Sequence, residues 1–161
     1  MEASHIVQAL GETNLEERRK AAEACAKAPG IAMAAVVPLC RCCSDRDEQV
    51  SQWSQAALEE LGPPSVDELS SLLELTTAAE LTAYWAVTLI GRLESQGAPA
   101  AAPLANLIEN EKTPAEVRNR SIWAIGQIGV ANEAIKATLE RAAQSDNART
   151  ARLASKALSK L

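Results

Sequence analysis

Four cysteines and one histidine are the side chains of this chain best suited to chemistry. Three of the cysteines form the run Cys40-Arg41-Cys42-Cys43, with Cys25 upstream. A structural zinc site takes four thiolate or imidazole ligands, usually as two suitably spaced pairs. The run offers no second pair, and His5 is the only imidazole. No nucleophile stands in a triad-like order with a histidine base, and the glycines form no phosphate-cradling loop. The other residues with recognition chemistry are aromatic: Trp53, Tyr84, Trp85 and Trp123, in a chain without phenylalanine. What any of these side chains can do depends on the elements that hold them.

Those elements repeat. Cys25, Leu58, Ile90, Ile125 and Leu158 recur at intervals of 33, 32, 35 and 33 residues, and each lies three positions before another apolar residue: Ala28, Leu61, Leu93, Ile128 and Leu161. A leucine stands 14 positions after each of the first four anchors, at Leu39, Leu72, Leu104 and Leu139. Two anchors per period predict two helices per period, and a period of this length marks a solenoid. A two-helix unit cannot bury its own apolar face, so it gains a core only by stacking on its neighbours. The expectation is an all-α fold, a right-handed alpha-alpha superhelix of about five hairpins, in one domain over residues 1–161. In this register Cys25 takes the core position of Leu58, while Cys42 and Cys43 align with Leu75 and Thr76 and with Leu107 and Ile108. That alignment favours small core side chains over metal or thiol chemistry, and no metal or cofactor is expected.

Helix starts follow the capping-box spacing at Asn14 with Glu17, Asp45 with Glu48, Ser65 with Glu68, Thr77 with Glu80 and Thr113 with Glu116, the last followed by Pro114. Pro29-Gly30, Gly62-Pro63-Pro64 and Gly97-Ala98-Pro99 break the chain between units. First helices are expected near 3–10, 31–43, 65–76, 98–110 and 131–144, and second helices near 14–28, 46–61, 78–94, 114–129 and 147–160. Glu17 and Lys20 give the first hairpin a polar outer face, and Arg152, Lys156 and Lys160 do the same for the last, as terminal repeats require.

Hydrophobic residues make up 47% of the chain and aromatics only 2%, so packing rests on Ala, Leu, Ile and Val. No alternating β-branched run reads as a strand. No stretch resembles a signal peptide or reaches membrane-spanning length, which makes a cytoplasmic location the expectation. The net charge of −5 argues against a general nucleic-acid binder, but the charge is unevenly laid out. Residues 47–91 carry eight carboxylates and no Lys or Arg, whereas residues 112–161 carry nine basic side chains against four acidic ones. A solenoid turns that order into an acidic middle and a basic end, able to steer a partner or to favour weak self-association of an otherwise monomeric protein.

The motifs Val37-Pro38-Leu39 with Asp45, Val50, Ala57, Leu58, Leu61 and Gly62, and Ala102-Pro103-Leu104 with Val117-Arg118, Ala124-Ile125-Gly126 and Ile128-Gly129, resemble HEAT repeats. The short period is similar to that of the bacterial HEAT-like repeats also found in phycobilisome lyases. The resemblance spans nearly the whole chain and implies fold more than function. Many members carry an inter-repeat ladder of Asp and Arg. Here Ser51 stands in the place of Arg118, the third unit has Thr82-Ala83 and the first unit is weak, so no ladder is expected across the first three units. The lone His5 departs from the iron-binding His-Glu pairs of hydroxylases with this fold.

Second helices can be numbered so that the anchor is position 9. Positions 1, 5, 8, 9 and 12 then face the core, and 3, 7 and 10 lie opposite at about 100° per residue. Tyr84 falls at 3 and Trp123 at 7. Trp53 and Trp85 share flank position 4, and Gly91 and Gly126 share position 10, where they would leave bare backbone on the outer face. The resemblance implies that second helices line the concave surface. The candidate partner-binding residues are therefore Trp53, Tyr84, Trp85 and Trp123, with Thr88, Arg92, Asn119 and Gln127 around them. The competing reading of Trp53 and Trp85, favoured by their flank angle, is that they fill gaps between repeats; the angle of Trp123 favours exposure. The sequence points to a non-catalytic scaffold that binds a protein or peptide. Two other classes stay open: an accessory or chromophore-lyase-like protein, by resemblance, and a nucleic-acid binder using Arg149, Arg152, Lys156 and Lys160.

Overall fold

The anchor residues meet in one continuous core. In the computed structural model, which describes residues 2–161, Leu39, Leu58, Leu72, Ile90, Leu104, Ile125 and Leu139 are fully buried, as is Cys25 to within 1%. The apolar cluster runs unbroken from Ile6 to Ala157. Leu158 and Leu161 are only half-buried, because the helix that carries Leu158 has neighbours on one side alone. The described residues are 76% helical and contain no strand.

Five units stack in sequence. The first is α1 (Ala3–Leu10) and α2 (Leu15–Lys27); the second is α3 (Pro29–Met33), α4 (Val36–Cys42) and α5 (Glu48–Glu59). The third is a 3-10 turn (Val66–Glu68) with α6 (Leu69–Leu75) and α7 (Glu80–Arg92). A longer 3-10 segment (Glu94–Ala100) leads into α8 (Ala101–Glu109) and α9 (Ala115–Ile128), and the fifth unit is α10 (Glu133–Ala143) with α11 (Ala148–Ser159). The middle three units thus have a broken first helix rather than the single one expected. Prolines explain two of the breaks: Pro38 and Pro103 lack the N–H that would bond back to Ala34 and Pro99, and their rings crowd those carbonyls.

Asn14 and Ser65 act as caps, accepting from Glu16 and Glu17 N–H and from Asp67 N–H, but the reciprocal half of the capping box is not made at Ser65, where Glu68 Oε2 is buried without a partner. Asp47, not Asp45, caps α5 by accepting from Val50 N–H. Thr77 and Thr113 do not cap, since α7 and α9 begin later, with Ala79 and Pro114 at the N-cap and no side-chain bond at either. Asn132 and Asn147 cap α10 and α11.

An Asp–Arg rung does join the first two units, contrary to expectation. Arg18 Nε donates to Asp45 at 2.9 Å and Arg19 Nη2 to Asp47 at 2.6 Å. Arg18 occupies the register position of Arg118, one residue after the weak start of the first unit's repeat pattern.

Second helices pack closely in the pairs α2–α5, α7–α9 and α9–α11. Small residues permit this. A β-carbon on Gly126 would stand 3.1 Å from Ala157, and one on Gly91 would stand 3.1 Å from Ala124. The α5–α7 step differs: their backbones stay apart, and α7 leans on α4 and α6 instead. Thr82 fixes that contact, its N–H donating to Ser44 Oγ at 3.1 Å and its hydroxyl lying 2.8 Å from the same oxygen. Large side chains of α7 fill the opening between α5 and α7.

Candidate partner-binding face

Trp85 and Arg92 bridge the widened step. Trp85 is only 8% exposed. Its ring stands edge-on to Tyr84, with centroids 5.7 Å apart at 86°, and its indole N–H points to Gln55 Oε1 at 3.5 Å. Arg92 lies 5.9 Å from the Trp85 centroid and donates to the carbonyls of Leu58 (2.7 Å), in the last turn of α5, and Leu61 (2.6 Å), just beyond it. A cation at the C-terminal end of α5 complements the helix dipole. Burial, then the neighbouring charge of Arg120, lowers the Arg92 pKa from its ordinary value, though a guanidinium stays charged at any physiological pH.

Arg120 is the hub. Its guanidinium lies 4.8 Å from the Tyr84 centroid and 4.4 Å from the Trp123 centroid, sandwiched between the two rings. Its Nε donates to Thr88 Oγ1 at 2.8 Å, and the Thr88 hydroxyl donates in turn to the Tyr84 carbonyl at 2.8 Å. The sequence reading missed Arg120. The available signal was register: Arg120 holds the position that Trp53 and Trp85 hold in earlier units, three residues before Trp123.

The structure redraws several expected exposures. Thr88 is 1% exposed and Asn119 6%, so both are buried rather than arrayed around a patch. Asn119 accepts from the Thr150 hydroxyl at 2.8 Å. Gly91 and Gly126 are buried as well and leave no bare backbone outside. A wheel drawn for one helix cannot show this, because position 10 faces the second helix of the next unit. Trp85 is an inter-repeat packing residue. Trp53 is half-buried against the core and lines neither of the openings that Trp123 lines. Tyr84, Arg92, Trp123 and Gln127 remain partly exposed.

Three of those four residues are brought close to a cleft. Arg92, Trp123 and Gln127 line an opening of about 630 Å³ at the C-terminal ends of α5 and α7, walled by Leu61 to Pro63 and by Glu94 to Gln96. On the far side of the Trp123 ring, Leu153, Ala157 and the stems of Lys156 and Lys160 form a shallow apolar crevice. Gln127 Oε1 accepts from Lys160 Nζ, which ties the cleft to the basic end.

The four cysteines lie in the core. Burial pushes the thiols of Cys25 and Cys42 up to about 11 and that of Cys40 to about 12, and it raises Cys43 as well. They are protonated at neutral pH, whereas thiol nucleophiles and metal ligands react as thiolates. Among the described residues no three His, Cys, Asp or Glu side chains converge in a way that could hold a metal ion. No described helix is long and apolar enough to cross a membrane.

No family model and no curated protein matches the sequence. Solved structures do. A designed armadillo repeat protein in complex with the peptide (KR)4 superposes with a TM-score of 0.63 at 22% identity, over 96% of this chain and 80% of that one. A computationally designed armadillo repeat protein for modular peptide recognition gives 0.64 at 22%, over 97% and 80%. An engineered protein gives 0.64 at 18%, over 99% and 79%. Identity this low speaks to fold alone, and the fold is that of an armadillo-like helical-repeat solenoid.

Proposed function

We propose that this chain is a single-domain, non-catalytic scaffold that binds a protein or peptide along the face formed by its second helices, with Trp123 as the anchor. The observation that carries this reading is the 630 Å³ cleft, which sets a partly exposed tryptophan beside Arg92 and Gln127. A tryptophan held at a cleft wall offers large apolar area at little conformational cost, and such residues dominate interface energies. The rigid lattice of Tyr84, Trp85, Arg92 and Arg120 beneath it pre-organises the surface. The peptide-bound armadillo design supports a peptide as the kind of partner an architecture of this type accepts. The HEAT-like motifs of the second and fourth units support placing the chain nearer to HEAT repeats, although the broken first helices of the middle units give those units a three-segment character found in related repeats. The unequal charge of the two ends orients a bound segment, acidic side chains toward α11 and basic ones toward α5.

The test is affinity capture from the native lysate with wild-type protein beside Trp123→Ala, under conditions where both give the same helical circular dichroism. A protein retained by wild type and lost from the variant identifies the partner and the face together. Equal retention by both removes the cleft from the interface.

A further inference from the structure

The first and fourth units carry the same arginine, but only one has a carboxylate to meet it. In the first step, Arg18 donates through Nη1 to the carbonyls of Glu12 (3.0 Å) and Thr13 (2.9 Å) in its own hairpin loop. It keeps its Nε–Nη2 edge for Asp45, at 2.9 and 3.4 Å. Asp45 Oδ1 also accepts from Asp47 N–H at 2.9 Å, and Asp47 caps the next helix. In the fourth step Arg118 also holds the carbonyls of its hairpin loop, through Nη2 rather than Nη1: those of Asn110, Glu111 and Thr113 at 3.1 to 3.2 Å. The facing loop repeats the same turn: Ser145 Oγ accepts from Asn147 N–H at 3.1 Å, and Asn147 caps α11. Ser145 therefore stands where Asp45 stands, and Asn147 where Asp47 stands. Both carboxylates of the first step are replaced by neutral groups, while the arginine is kept.

Two observations at this place point to a ligand. Arg118 Nε is buried without a hydrogen-bond partner, a costly state for a charged donor. The space beside it is an open cleft of about 290 Å³, lined by Arg118, Asn119, Thr138, Ser145, Asn147 and Thr150 among others. Glu109 at the rim is engaged by Arg141, and the N-terminus of the 12-residue α11 adds positive potential.

We propose that this cleft is a carboxylate-binding site, in which an external carboxylate takes the place that Asp45 fills in the first step and pairs with the Arg118 guanidinium. A charge-assisted hydrogen bond from a guanidinium to a carboxylate is about twice as strong as a neutral one. The site lies among the hairpin loops, at the N-terminal ends of α9 and α11, and does not depend on the Trp123 cleft. The carboxylate comes either from a small acid or from an acidic side chain of a peptide.

Following the Arg118 Nε–H resonance by NMR during titration tests this, with acetate, the capped peptide Ac-Gly-Asp-Gly-NH2 and inorganic phosphate as probes. The expected result is a saturable shift with both carboxylates. A tighter response to the peptide assigns the site to acidic side chains, and equal responses assign it to small acids. Ser145→Asp supplies the missing carboxylate internally, so it should fold, melt at or above the wild-type temperature and weaken the titration at least tenfold. The proposal is overturned if neither carboxylate gives a saturable shift, if Ser145→Asp responds like wild type, or if phosphate binds more tightly than both carboxylates.

Discussion

A β-carbon on Gly91 would stand 2.5 Å from Cζ3 of Trp123, so the indole of one unit rests on the bare backbone of the unit before it. The same added β-carbon would stand 3.1 Å from Ala124. Gly91 is thus a helix-interior glycine kept for close approach, and it sets how far Trp123 emerges at the cleft. Gly91→Ala gains up to about 1 kcal/mol of helix propensity, but the added methyl overpacks a rigid contact at about 1–3 kcal/mol. The expected outcome is a net loss of stability in urea unfolding and a changed Trp123 emission maximum, with helical content retained.

Arg120 holds Tyr84 and Trp123 together, and its charge is part of the contact. Arg120→Met keeps much of the stem volume but removes the cation and the donor to Thr88. The expected cost is about 1–3 kcal/mol by chemical denaturation. Arg120→Lys should restore little of it, because an ammonium cannot stack between two rings while donating in the guanidinium plane.

Asp47 makes the acid sensitivity of the first two units specific. The Arg19 guanidinium, then the Val50 N–H, hold its carboxyl at about 2, below the ordinary carboxylate value. Folding therefore favours the ionised form. The contribution is complete above the unfolded value of about 4 and is lost as pH falls from there toward about 2. Asp47→Asn keeps a capping oxygen but should flatten the fall of the urea midpoint across that interval. An unchanged pH profile would place the sensitivity elsewhere.

Glu94 adopts a left-handed backbone, φ 52°, where α7 gives way to the 3-10 segment. Such a conformation costs a residue with a side chain about 1–2 kcal/mol, and glycine none of that. Glu94→Gly should raise the melting temperature by a few degrees.

The parts of this fold that depend on period were legible in the sequence. Leu39, Leu72, Leu104 and Leu139 and the anchors from Cys25 to Ile125 all became core, because a repeat spacing reports which residues recur on one side whatever the neighbours do. The parts that depend on neighbours were not. Thr88, Asn119, Gly91 and Gly126 read as outward on an isolated wheel and are buried by the adjoining second helix. Arg18 and Asp45 lie 27 positions apart and meet only through stacking, so the rung between the first two units had no local signature. The opening between α5 and α7 likewise follows from bulk at Trp85 and Arg92, which single-helix patterning leaves unplaced. Trp123 emerged at the cleft edge because its support, Gly91, comes from another unit.

The central claim is that Trp123 anchors a partner at the cleft beside Arg92. Its most direct test is the dissociation constant of a partner-derived peptide for wild type and for Trp123→Ala, measured by titration calorimetry on proteins with matching circular dichroism. Loss of a central aromatic anchor should weaken binding by about 2 kcal/mol or more, roughly 30-fold in affinity. Equal affinities with both proteins folded would contradict the assignment of this face as the binding surface.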